Sequence, residues 1–105
     1  MTITTFDEYS AFAESTRLRS STFSYIAMNL VGEVGELYGK VARFIRDGGN
    51  LDLEGIKKEA GDVLWQLDQF CADLGFTLGD AARGNVEKLT KRMHEGSLQG
   101  SGDNR

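Results

Sequence analysis

The chain has no proline among its 105 residues. Nothing in it breaks a helix by ring closure, so its 13 glycines carry the punctuation. One cysteine, Cys71, excludes an internal disulfide. Its setting, Gln69-Phe70-Cys71-Ala72, reads as a small core position, where free cysteine is usually found. An excess of positive charge is also missing: 16 acids face 12 bases, for a net charge of −4. That excludes the basic footprint of a nucleic-acid-binding module. It does not exclude a nucleotide substrate, because a metal ion can supply the positive charge that phosphates need. No apolar run approaches the roughly 20 residues of a membrane span. The start, Met1-Thr2-Ile3-Thr4-Thr5, has neither the basic nor the apolar region of a signal peptide. A cytoplasmic protein, partnered with neither membrane nor nucleic acid, is the expectation. Strands are poorly supported too, since β-branched residues are sparse and period-two alternation is short.

What is present is helical periodicity. The spacing predicts a first helix over about Thr5 to Arg17, with Phe6, Tyr9, Ala13 and Leu18 near one face and Thr5 with Glu8 as a capping box. A longer helix over about Ser21 to Arg46 carries Tyr25, Ile26, Leu30, Val34, Leu37, Val41, Phe44 and Ile45 as a core-facing stripe. It stops at Asp47-Gly48-Gly49-Asn50. A third begins at Asp52 as N-cap and carries Ile56, Val63, Leu64, Leu67, Phe70, Cys71 and Leu74, with Gly75 placed to end it. A fourth begins at Thr77, with Asp80 three positions on, runs through Ala81, Val86, Leu89 and Met93, and ends near Gly96. We expect an all-α, antiparallel four-helix bundle forming one domain over residues 1–105, with a Gly/Ser-rich tail over 97–105. A domain this small buries a limited share of its surface, so a homodimer or homotetramer is expected.

Two acid pairs stand out. The second helix holds Val31-Gly32-Glu33-Val34-Gly35-Glu36-Leu37, and the third holds Lys58-Glu59-Ala60-Gly61-Asp62-Val63-Leu64-Trp65. Each pair sits at i, i+3, which puts both carboxylates on one helix face. Paired helices would bring four carboxylates together, and four clustered anions repel unless they take up protons or a cation. Carboxylates without nearby cysteine or histidine suit magnesium or manganese better than zinc. Interior glycines Gly32, Gly35 and Gly61 each cost about 1 kcal/mol relative to alanine. Broken local rules beside charges are where functional sites tend to lie. Against this stands the ordinary reading of such pairs as a solvated face. A di-iron bundle fails, because it needs Glu-x-x-His on two helices and the single histidine, His94, has Lys91 at i−3. His94 fits better as a helix C-terminal residue.

These stretches, together with Asn85-Val86-Glu87-Lys88-Leu89 and the ending Gly100-Ser101-Gly102-Asp103-Asn104-Arg105, resemble the all-α nucleoside triphosphate pyrophosphohydrolases. That superfamily takes in MazG-like proteins, dCTP pyrophosphatases and dimeric dUTPases, and the likeness covers about residues 20 to 105. The chain looks most like the small single-domain MazG-like proteins of bacteria and phages. Where many members carry an extra acid before the first glutamate, this sequence has Gly32. The resemblance implies a magnesium-dependent enzyme that splits a nucleoside triphosphate into monophosphate and pyrophosphate, removing non-canonical nucleotides or adjusting the pool. It implies metal binding and catalysis by Glu33, Glu36, Glu59 and Asp62, with Glu33 positioning the nucleophilic water. Asn85 and Lys88, with Arg92 one turn on, would contact phosphates. Asn29, one turn before Glu33, and Trp65, three residues after Asp62, are candidates for the base; Trp65 fits a core position better. Alternatives are a dCTP- or dUTP-selective member of the superfamily and a non-catalytic helical interaction module.

Overall fold

A computed structural model of the chain describes residues 1–97 and Gln99. It contains α1 (Phe6–Ser15), α2 (Phe23–Asp47), α3 (Leu53–Asp73) and α4 (Leu78–Glu95), with no strand among the described residues. Side chains set the helix starts. The Asp52 carboxylate accepts from the Gly55 amide at 3.0 Å to open α3. Thr77 and Asp80 form a reciprocal capping box on α4, at 2.9 and 3.0 Å. The box expected on α1 is displaced by one residue. The Thr5 hydroxyl accepts from the Glu8 amide, but the Glu8 carboxylate takes the Thr4 amide in place of that of Thr5. Gly48 at φ +72° and Gly96 at φ +68° end α2 and α4 in a region where only glycine is unstrained.

Two boundaries differ from the periodicity. α1 stops at Ser15, because Arg17 leaves the helix to make a two-pronged pair with Asp73 at 2.7 and 2.9 Å. The Arg17 guanidinium also donates to the Gln69 side chain and the Ser21 carbonyl. Leu18, expected on the α1 stripe, is therefore outside the helix and 69% exposed. α2 starts at Phe23, not Ser21, with Thr22 as its cap.

The larger difference is that the four helices do not close around a common core. α3 is the hub: α2 packs against α3 alone, while α1 and α4 pack against α3 and each other. The α2–α3 seam includes stacked Phe23 and Phe70 rings, with centroids 5.6 Å apart. On its other side, α3 is tied to α1 by polar groups. Ser10 donates to the buried carboxylate of Asp68, which also accepts from Gln69 at 2.9 Å, and the Trp65 indole donates to Thr16 at 2.8 Å. Ala13, Ile26, Cys71 and Leu78 are buried, but Tyr25, Val34, Ile45, Val86 and Met93 of the expected stripes are exposed.

The α2 stripe is wider than one partner helix can cover. A second row, Val31, Tyr38 and Ile45, recurs every seven residues and is 66–74% exposed. The accessible surface is 7722 Å², against roughly 5,800 Å² for a compact monomer of this mass. The radius of gyration is 16.6 Å, against about 13 Å for a compact domain of this length.

Candidate functional site

The antiparallel course of α2 and α3 aligns the two acid pairs. Oxygens of Glu33 on α2 and of Glu59 and Asp62 on α3 all lie within 4.8 Å of one another. Glu33 and Glu59 are half-buried and Asp62 is exposed at the rim. One oxygen each of Glu33 and Glu59 is buried with no hydrogen-bond partner. Buried carboxylate oxygens without donors are costly, and the cost shows in Glu33. Its carboxyl is pushed up to about 7, first by burial and then by the charges of Glu36 and Asp62. A shared proton with Glu59 and the Glu59 charge raise it further. Among the described residues these three acids form the one cluster of potential metal ligands. Its donors are all hard carboxylate oxygens, and its two orphaned atoms lack the positive partner a divalent cation would provide.

The remaining sequence candidates are arranged less tightly. Glu36 is exposed and outside the 4.8 Å group, though close enough for its charge to act on Glu33. Asn29 is half-buried one turn before Glu33. Trp65 is half-buried with its ring nitrogen committed to Thr16, which places it at the α1–α3 contact and not on the α2 seam. Asn85 is exposed, Lys88 half-buried and Arg92 buried, and Lys88 and Arg92 both have interaction partners. Arg92, expected to join Lys88 in contacting phosphates, is thus a buried side chain. All three stand on α4, which does not touch α2. The Gly-Ser-Gly-Asp-x-Arg ending lies outside the described residues. A β-carbon at Gly32, Gly35 or Gly61 would meet nothing within 4 Å, so no close approach among the described residues requires these glycines.

Two residues near the acids were not singled out by sequence as site candidates. Tyr9 of α1 has its hydroxyl raised by burial and then by Asp68 and Asp62, which places the phenol within electrostatic reach of the cluster. Gln66 of α3 is 9% exposed and its side-chain oxygen is buried without a partner. Its spacing from Asp62 (i+4) and Glu59 (i+7) was readable. Nothing in sequence separates such a glutamine from an ordinary surface residue.

Known proteins add to this geometry. The family model described as MazG nucleotide pyrophosphohydrolase domain matches residues 21–96. The Gene 37 protein of Mycobacterium phage L5 is 38% identical over 86 residues, covering 78% of this chain and 75% of the phage protein. No solved structure matches.

Proposed function

The chain belongs to the MazG nucleotide pyrophosphohydrolase family, and from that premise we propose that it hydrolyses nucleoside triphosphates to monophosphate and pyrophosphate with magnesium, or manganese in its place. The observation that carries this reading is the convergence of Glu33, Glu59 and Asp62, with two buried carboxylate oxygens unpartnered. Glu33, Glu59 and Asp62 would hold the metal, and the exposed Glu36 can swing in from the rim to join them. Bound magnesium supplies positive charge for the triphosphate and lowers the pKa of a coordinated water.

The rest of the chemistry falls to the chain's own groups. Glu33 is half-buried between two helices, and its orphaned oxygen can orient the attacking water and take its proton. Lys88, a compact ammonium, and Asn85 would hold phosphates. Because α4 does not reach α2 within the chain, we assign that contact to assembly, where a second copy brings its own helix to the carboxylates. The single-domain organisation over residues 1–105 belongs to the same reading, and a cytoplasmic nucleotide pool would be its substrate source. No helix among the described residues is long and apolar enough to cross a membrane.

The test is pyrophosphate release from canonical and modified nucleoside triphosphates, with magnesium and with chelator. Turnover that needs the metal is expected; no turnover of any nucleotide would refute the reading. Assembly has its own test. Val31→Asp puts a charge on the exposed row that a second copy would cover, and should shift the wild-type dimer or tetramer toward monomer in sedimentation. Equal mass for the two would show that this face is not the interface.

A further inference from the structure

Gln66 is buried among the described residues in a way that its partners do not explain. It lies on the α2-facing side of α3. At about 100° per residue, Glu59, Asp62, Gln66 and Phe70 fall within an arc of roughly 80°. The members on either side of Gln66 meet α2, Glu59 and Asp62 through Glu33 and Phe70 through Phe23. Gln66 therefore sits on the seam one turn beyond the carboxylates. Gln66 as a residue is 9% exposed, and its side-chain oxygen is buried with no hydrogen-bond donor. A neutral amide in such a place loses its hydration without compensation, which costs about 1–3 kcal/mol. It recovers that cost when a ligand donor arrives.

The antiparallel pairing adds a second amide. Asn29 precedes Glu33 by one turn on α2, and Gln66 follows Asp62 by one turn on α3. In antiparallel helices these displacements run in the same direction, so both carboxamides flank the same end of the carboxylate cluster. That end is closed beyond Gln66 by the stacked Phe23 and Phe70 rings. A site that holds phosphates at the carboxylates has its nucleoside about one helical turn away. The groups at that distance are uncharged amides, each with an acceptor and two donors, backed by aromatic rings. This is the chemistry that matches a base edge and not a phosphate.

We propose that Gln66, with Asn29 beside it, reads the nucleobase, the Gln66 oxygen accepting a hydrogen bond from a base N–H. This rests on the pyrophosphohydrolase reading and adds to it the part of the site that distinguishes one nucleotide from another. A site built to hydrogen-bond a substrate group discriminates strongly against substrates lacking it, because its own buried polar atom is then left unpaired.

The experiment compares kcat/KM for dATP, dCTP, dGTP, dTTP and dUTP, by pyrophosphate release with magnesium, in the full wild-type chain and in Gln66→Met. Methionine keeps the length and helix propensity and removes the amide. The preferred nucleotide should lose about ten- to a hundredfold in kcat/KM, mostly through KM. The others should change less than about threefold, so that the preference collapses. Magnesium-dependent thermal stabilisation should be retained, since the carboxylates are untouched. Should Gln66→Met fold poorly, Gln66→Asn draws the amide back by one methylene and should flatten the preference in the same direction. A loss of equal factor on every nucleotide would assign Gln66 a structural role and overturn the proposal, as would an unchanged preference or a wild type that treats all bases alike. A wild type that turns over no nucleotide would instead overturn the enzymatic reading, and this inference with it.

Discussion

Glu59→Gln should leave the chain folded and reduce pyrophosphate release by at least about a hundredfold. Glu59 has one oxygen buried without a hydrogen-bond partner, and it offers a carboxylate oxygen within 4.8 Å of oxygens of Glu33 and Asp62. A carboxylate in that position is unfavourable unless a cation is present, so its net worth lies in holding the cation. Losing one of the ligands that hold the cation, which neutralises developing phosphate charge, removes several kcal/mol of transition-state stabilisation, and each 1.36 kcal/mol is about tenfold in rate. The fold should not suffer, because the amide replaces a repelling charge with a group that can donate to the Glu33 carboxylate. The check has two parts: steady-state pyrophosphate release, and a thermal melt in chelator. Full activity in the variant would remove Glu59 from the metal site. Loss of activity with a melt far below wild type would mean that the residue serves the fold instead.

Helix identity followed from local chemistry: Asp52, Thr77 and Gly96 cap where their side chains or backbone freedom predict. The meeting of Glu33 with Glu59 and Asp62 followed from i, i+3 spacing plus a short turn between two long helices. The end of α1 was not legible, because it is set by Arg17 reaching across 56 residues of sequence to Asp73. Periodicity also cannot say how many partners a stripe has. Val34 and Ile45 fit the α2 pattern, yet α3 covers only part of that helix and leaves both exposed. For the same reason, the Asn85-x-x-Lys88 resemblance gave no warning that α4 would not touch α2. A motif specifies a helix face but not the chain whose carboxylates that face will meet. Gln66 was missed because its distinction is burial without a partner, which spacing does not reveal.

The charge crowding at Glu33 makes a second prediction, in which stability and function pull in opposite directions. Its carboxyl is pushed from 4.5 to about 7, by burial first and then by Glu36, Asp62 and Glu59. The unfolded chain ionises this group near 4.5, whereas the folded chain holds the proton until about 7. Between those values the unfolded state has fewer protons bound, so stability must fall as pH rises. The contribution is fully present below about 4.5 and lost once pH has passed 7. After allowance for solvent screening at a half-buried site, it is on the order of 1 kcal/mol. In chelator, the wild-type chain should therefore melt lower at pH 8 than at pH 5.5 by more than Glu33→Gln does, and the variant should be the more stable of the two at pH 8. Magnesium reverses the ranking. It competes with the proton for the same oxygens, so its apparent affinity should rise roughly tenfold from pH 6 to pH 8 in the wild type and stay nearly flat in Glu33→Gln. Parallel melting curves for the two proteins across this range, or a magnesium affinity indifferent to pH, would show that Glu33 is not held in the crowded, partly desolvated state from which its proposed role follows.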